Sequence, residues 1–86
     1  MNETEIRRVV IAELDNIAPG AGADTIDAKE DVRIALDIDS MDFLNVIVAI
    51  NERTGIEIPE RDYPKLSSLN DAVSYLAQAQ KQTVGA

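Results

Sequence analysis

An all-α, up-down bundle of three longer helices and one short helix is the fold this chain predicts, and three observations carry the prediction. Apolar residues recur at helical spacing in three separate stretches. Segments bearing proline or glycine interrupt the chain between them. The one stretch that alternates apolar and polar residues, Ile26 to Ile38, has no second such stretch to pair with. At 86 residues the chain suffices for one small domain with a single modest core. Residues 1–80 are read as that domain and residues 81–86 as a flexible C-terminal tail.

The first helix is expected from about Glu3 to Ile17, with Ile6, Val9, Val10, Leu14 and Ile17 on one stripe and Asn2 with Glu5 as a capping box. Ala18 to Asp24, "APGAGAD", cannot continue it, because proline lacks a donor and glycine loses most entropy on ordering, so a long mobile loop follows. Ile26, Val32, Ile34, Leu36 and Ile38 alternate only in part and read as loop with one helical turn. Met41 to Arg53 forms the second long helix, Gly55 closes it, and Ile56 to Pro59, "IEIP", is an extended stop. Glu60 to Leu66 reads as the short helix, with Pro64 limiting its regularity. Ser68, with Asp71 three residues on, opens the last helix, whose buried stripe is Leu69, Ala72, Val73 and Leu76. The expected core is Ile6, Val10, Leu14, Ile17, Phe43, Val46, Ile47, Ile50, Leu69, Val73 and Leu76.

Composition narrows the chemistry. With no cysteine there is no disulfide, thiolate metal site or cysteine nucleophile, and with no histidine the usual general base and zinc ligand are missing. A Ser-His-Asp arrangement therefore cannot be built. Sixteen acidic against eight basic side chains leave a net charge of −8, which repels nucleic-acid backbones and anionic lipid surfaces and favours partners with basic surfaces. No window approaches the roughly 20 apolar residues of a membrane span, and the N-terminal "MNETEIRRVV" lacks the pattern of a signal peptide. A soluble cytoplasmic protein is expected.

The stretch "LDIDSMDFL", Leu36 to Leu44, concentrates what chemistry remains. A serine before an apolar helix is ordinarily its N-cap. Here the spacing favours Asp39: with Asp39 as cap, Asp42 falls at the third helical position, where an acidic group suits the dipole, whereas a Ser40 cap would put Phe43 there. Ser40 is then free to point outward from the first turn. A phosphate on its oxygen would lie beside unpaired N–H groups and the positive end of the dipole, opposed by repulsion from Asp37, Asp39 and Asp42. A calcium loop fits poorly: Asp37 and Asp39 have its opening alternation, but Met41, Asp42 and Val48 stand where the third ligand, the turn glycine and the closing glutamate belong. No metal site and no catalytic residue are assigned.

"LDIDSMDFLNVIVAINERTGIEIP" resembles the second helix and following loop of acyl carrier proteins, and helix order and loop lengths extend the resemblance from Ile6 to Leu76. It implies that Ser40 bears 4′-phosphopantetheine, delivered from coenzyme A by a phosphopantetheinyl transferase, that Asp39 is the motif partner, and that Met41 holds the place of the motif's leucine. The chain departs from the family pattern at Asp37, where a glycine is common, at Asn45 and Asn51, where acidic residues are frequent, and at Pro64. The implied function is that of a freestanding monomeric carrier which presents acyl thioesters to acyl-loading and acyl-processing enzymes of fatty-acid, polyketide or related metabolism and is itself no enzyme. A peptidyl or aminoacyl carrier is the alternative within the class, and an interaction module without the cofactor the alternative outside it. Advancing about 100° per residue along the second helix, Met41, Asn45, Val48 and Glu52 line up opposite Phe43, Val46, Ile47 and Ile50, and are the candidate docking stripe for partner enzymes.

Overall fold

A computed structural model describes the backbone of residues 1–84 and the side chains of residues 1–81. Asn2 Oδ1 accepts the Glu5 N–H at 2.8 Å and Glu5 Oε1 accepts the Asn2 N–H at 3.2 Å, and this reciprocal cap starts α1, Glu3–Ile17. The connection after it is more ordered than a mobile loop, since a 3₁₀ turn at Ala23–Thr25 buries Ala23. Val32–Ala35 forms the single helical turn α2, capped by Asp31. Helix α3 spans Ser40–Thr54, a 3₁₀ segment spans Glu60–Leu66, and α4 spans Leu69–Val84. This last helix runs into the segment read as a tail; Gly85 and Ala86 lie outside the described residues.

No strand forms among the described residues, yet the alternating stretch is tied down. The Val32 N–H donates to the Ser67 carbonyl at 2.8 Å and the Asn70 N–H to the Ala28 carbonyl at 2.9 Å, so an isolated antiparallel bridge pins Asp31 to Ser68. The Ser68 hydroxyl accepts the Asp71 N–H at 3.1 Å and opens α4 as expected.

Helix α1 packs against both α3 and α4, and the Glu60–Leu66 segment packs on α4. Ile6, Val10, Leu14, Phe43, Val46, Ile47, Ile50, Leu69, Val73 and Leu76 are buried together. Ile17, expected among them, is only half-buried, because it ends α1 where the chain departs into the connection. Val32, Leu36, Ile38, Ile56 and Leu66 complete the core from the connecting segments. The 3₁₀ segment is fixed by Asp62, whose carboxylate accepts the Tyr75 hydroxyl at 2.7 Å and pairs with Lys65 at 3.1 Å. Burial and that bond push the Tyr75 hydroxyl up to about 12, and the same bond, with Lys65, holds Asp62 below the usual carboxylate range.

The turn into α3 stores strain. Asp37 has φ of 53°, the left-handed region that costs an L-residue roughly 1–2 kcal/mol. Asp37→Gly removes that steric cost at a smaller cost in unfolded-state entropy, so a gain of about 0.5–1 kcal/mol is expected in urea denaturation. A loss would show that the aspartate side chain stabilises the turn.

Candidate functional site

Helix α3 begins as the spacing Asp39-Ser40-Met41-Asp42 requires. Asp39 Oδ1 accepts the Asp42 N–H at 2.8 Å, and Asp42 Oδ2 accepts the Asp39 N–H at 3.4 Å. This capping box leaves Ser40 at the first helical position, exposed, with a hydroxyl that makes no hydrogen bond among the described residues. The Asp42 and Phe43 N–H groups are taken up by Asp39, whereas those of Ser40 and Met41 point from the helix start without an acceptor among the described residues. At the far end Gly55, with φ of 73°, turns the chain and donates its N–H to the Asn51 carbonyl at 2.8 Å.

Ser40 opens on a groove of about 310 Å³. Phe43 and Leu44 line it from α3, Tyr63 and Pro64 from the 3₁₀ segment, and Arg33 and Glu60 add one charge of each sign. The Arg33 guanidinium lies 5.4 Å from the centroid of the Phe43 ring and forms an ion pair with Asp31 at 2.9 Å. Its bond to Asp31 holds that carboxyl below its ordinary range and raises the guanidinium above its own. The other serines are placed differently. Ser68 is buried and used as a cap, Ser67 is half-buried, and Ser74 lies on the exposed side of α4, more than one turn past the start of that helix.

The four stripe residues Met41, Asn45, Val48 and Glu52 are all exposed along α3, Met41 to 64% and Val48 to 43%. Leu44 and Ile34 add apolar exposure that the helical stripe does not include. Asn51 does not share that face. Its side-chain amide donates to the Ile56 carbonyl at 2.8 Å and clamps the segment after the helix. That Arg33, Glu60, Tyr63 and Pro64 share a groove with Ser40 was not read from the sequence, and no local spacing signals it, because they come together only when the 3₁₀ segment packs beside α3.

A free, exposed hydroxyl at a helix start, beside unused N–H groups and a groove with apolar walls, fits a phosphodiester-linked arm: the oxygen is accessible, and the first turn favours an anion. The sequence profile of the phosphopantetheine attachment site family matches residues 6–76. Three relatives, each named an acyl carrier protein, are similar over most of both chains. That of Campylobacter hominis is 37% identical over 79 residues, covering 90% of this chain and 91% of the relative. Those of Kineococcus radiotolerans and Renibacterium salmoninarum are 34% and 33% identical over 70 residues, covering 81% of this chain and 86% of each relative. Fold and profile together define a helical carrier domain whose cofactor is 4′-phosphopantetheine. The chain belongs to the acyl carrier protein family. It is a carrier that works through partner enzymes, and among the described residues no helix is long and apolar enough to cross a membrane.

Proposed function

We propose that Ser40 is the attachment point and that the protein is a monomeric, cytoplasmic carrier of acyl groups for enzymes of fatty-acid, polyketide or related acyl metabolism. One observation supports this above the rest: Asp39 and Asp42 close the capping box between themselves, so the Ser40 hydroxyl is neither used nor covered. The cofactor, when bound, supplies the thiol on which an acyl group is held as a thioester, chemistry that a chain without cysteine lacks. Ser40 presents the nucleophilic oxygen, Asp39 fixes the backbone around it, and the first-turn N–H groups offset the phosphodiester charge. Incubation with coenzyme A and a broad-specificity phosphopantetheinyl transferase, followed by intact-mass measurement and peptide mapping, should give one added unit, on Ser40. A unit on Ser67, Ser68 or Ser74 would move the site, and no unit at all would favour an interaction module that never receives the cofactor.

Met41, Asn45, Val48 and Glu52 are assigned as the docking stripe for the transferase and for acyl-loading and acyl-processing enzymes with basic surfaces. The net charge of −8 supports such partners, while one uncharged amide and two apolar side chains on the stripe add shape and apolar contact. Asn45 stands on this stripe, whereas Asn51 serves the fold. Met41→Asp and Val48→Asp should each change stability by no more than about 0.5 kcal/mol, as at other surface sites, yet slow cofactor transfer or acyl loading. Unchanged rates with every partner would reduce the stripe to surface; unfolding would mean that it is not a free face.

A further inference from the structure

Among the described residues Arg33 is the one basic side chain lining the groove on which Ser40 opens. Two independent contacts hold it there. Its Nε and Nη2 donate to Asp31 Oδ1 and Oδ2 at 3.2 and 2.9 Å, and its guanidinium carbon stands over the Phe43 ring at 5.4 Å. Asp31 is itself fixed, because Oδ1 also accepts the Arg33 N–H at 2.9 Å and its backbone forms the bridge to Ser68. The remaining terminal nitrogen, Nη1, makes no hydrogen bond among the described residues. A planar guanidinium with one edge anchored and another unused is suited to a second anion, since its fork matches phosphate oxygens. Asp37, Asp39 and Asp42 lie within three residues of Ser40, so besides the helix start Arg33 is the positive group in the groove that can offset the charge of a phosphodiester there.

We propose that Arg33 is a positioning residue for the phosphodiester on Ser40, pairing with it through the guanidinium edge that Asp31 leaves free and so directing the root of the arm over the groove between Phe43 and Tyr63. The proposal rests on the assignment of Ser40. It separates two jobs near that serine: the first-turn N–H groups act on any anion at the helix start, whereas Arg33 discriminates a phosphodiester rooted on the groove side.

The test uses wild type, Arg33→Gln and Arg33→Lys, each as the apo protein and as the holo protein, with the arm verified on Ser40 by intact mass and peptide mapping. Thermal unfolding and the phosphorus NMR resonance of the holo form are read. Pairing predicts that Arg33→Gln lowers the Tm of the holo form by about 2–4 °C more than that of the apo form at low ionic strength. That excess should vanish near 1 M salt, where the screening length is about 3 Å. The phosphorus resonance should move in Arg33→Gln and return part of the way in Arg33→Lys, which keeps the charge but not the fork. Equal Tm losses in apo and holo forms with an unmoved resonance would overturn the proposal and leave Arg33 as the partner of Asp31 and Phe43 alone. An arm mapped to another residue would overturn the Ser40 assignment, and this inference with it, and the mass data distinguish that failure from the first.

Discussion

Ser40→Ala is expected to abolish the mass gain on incubation with coenzyme A and transferase while leaving the fold intact. The two halves of this result have separate causes. Loss of modification follows because the side-chain oxygen is the only part of residue 40 able to form the phosphoester, and no other exposed serine sits at a helix start. Retention of the fold follows because the oxygen makes no hydrogen bond among the described residues and alanine is the better helix former, by up to about 0.5 kcal/mol. Asp39→Ala should behave in the opposite way. It removes the acceptor of the Asp42 N–H and costs about 1–2 kcal/mol, but leaves the serine hydroxyl in place. Circular dichroism melts beside intact-mass measurements distinguish the pair: one variant is stable and unmodified, the other destabilised and still a substrate. If Ser40→Ala melted as early as Asp39→Ala, the serine would be part of the cap and the account of its freedom would fail.

How much of this was legible depended on how far apart in sequence the participants lie. The capping box is a four-residue pattern, and Asp39 with Asp42 could be assigned from spacing alone. Helix α1 was readable to the residue for the same reason, with Asn2 and Glu5 at one end and the proline-glycine segment at the other. Residues 26–38 were harder. Val32, Ile34, Leu36 and Ile38 alternate as a strand would, but α2 is a helical turn, so Val32 and Leu36, four apart, fall on its buried face while Ile34 is 72% exposed between them. Alternation and a single helical turn cannot be told apart in so short a window. The left-handed Asp37 was visible only as a departure from a glycine, and its strain became apparent once the backbone turned there. Least legible was the groove beside Ser40. Arg33, Phe43 and Tyr63 are ten and twenty residues apart, and only the packing of the 3₁₀ segment brings them to one place.

Leu14→Ala should be among the most damaging core truncations, with a loss of about 3–5 kcal/mol. Leu14 is 1% exposed on α1, the helix that touches both other long helices, and it borders an interior void of only about 10 Å³ together with Val10, Val32, Phe43, Ile47 and Ile50. Truncation removes three carbons from a tightly filled site whose walls come from three helices, so the surroundings can collapse only by shifting whole helices. A domain of this length holds roughly 4–13 kcal/mol in total, at about 0.05–0.15 kcal/mol per residue, and there is no disulfide to make good the loss. Self-repulsion from a net charge of −8 works in the same direction, so added salt should recover part of the lost stability without refilling the void. Ile34→Ala provides the contrast, because it deletes an aliphatic side chain of equal size from a position that is 72% exposed and should stay within about 0.5 kcal/mol of wild type. Urea titrations of the two variants therefore measure burial at constant chemistry. Equal losses would mean that Ile34 is covered in solution, and a small loss at Leu14 would mean that the contact of α1 with its neighbours is looser than its burial implies.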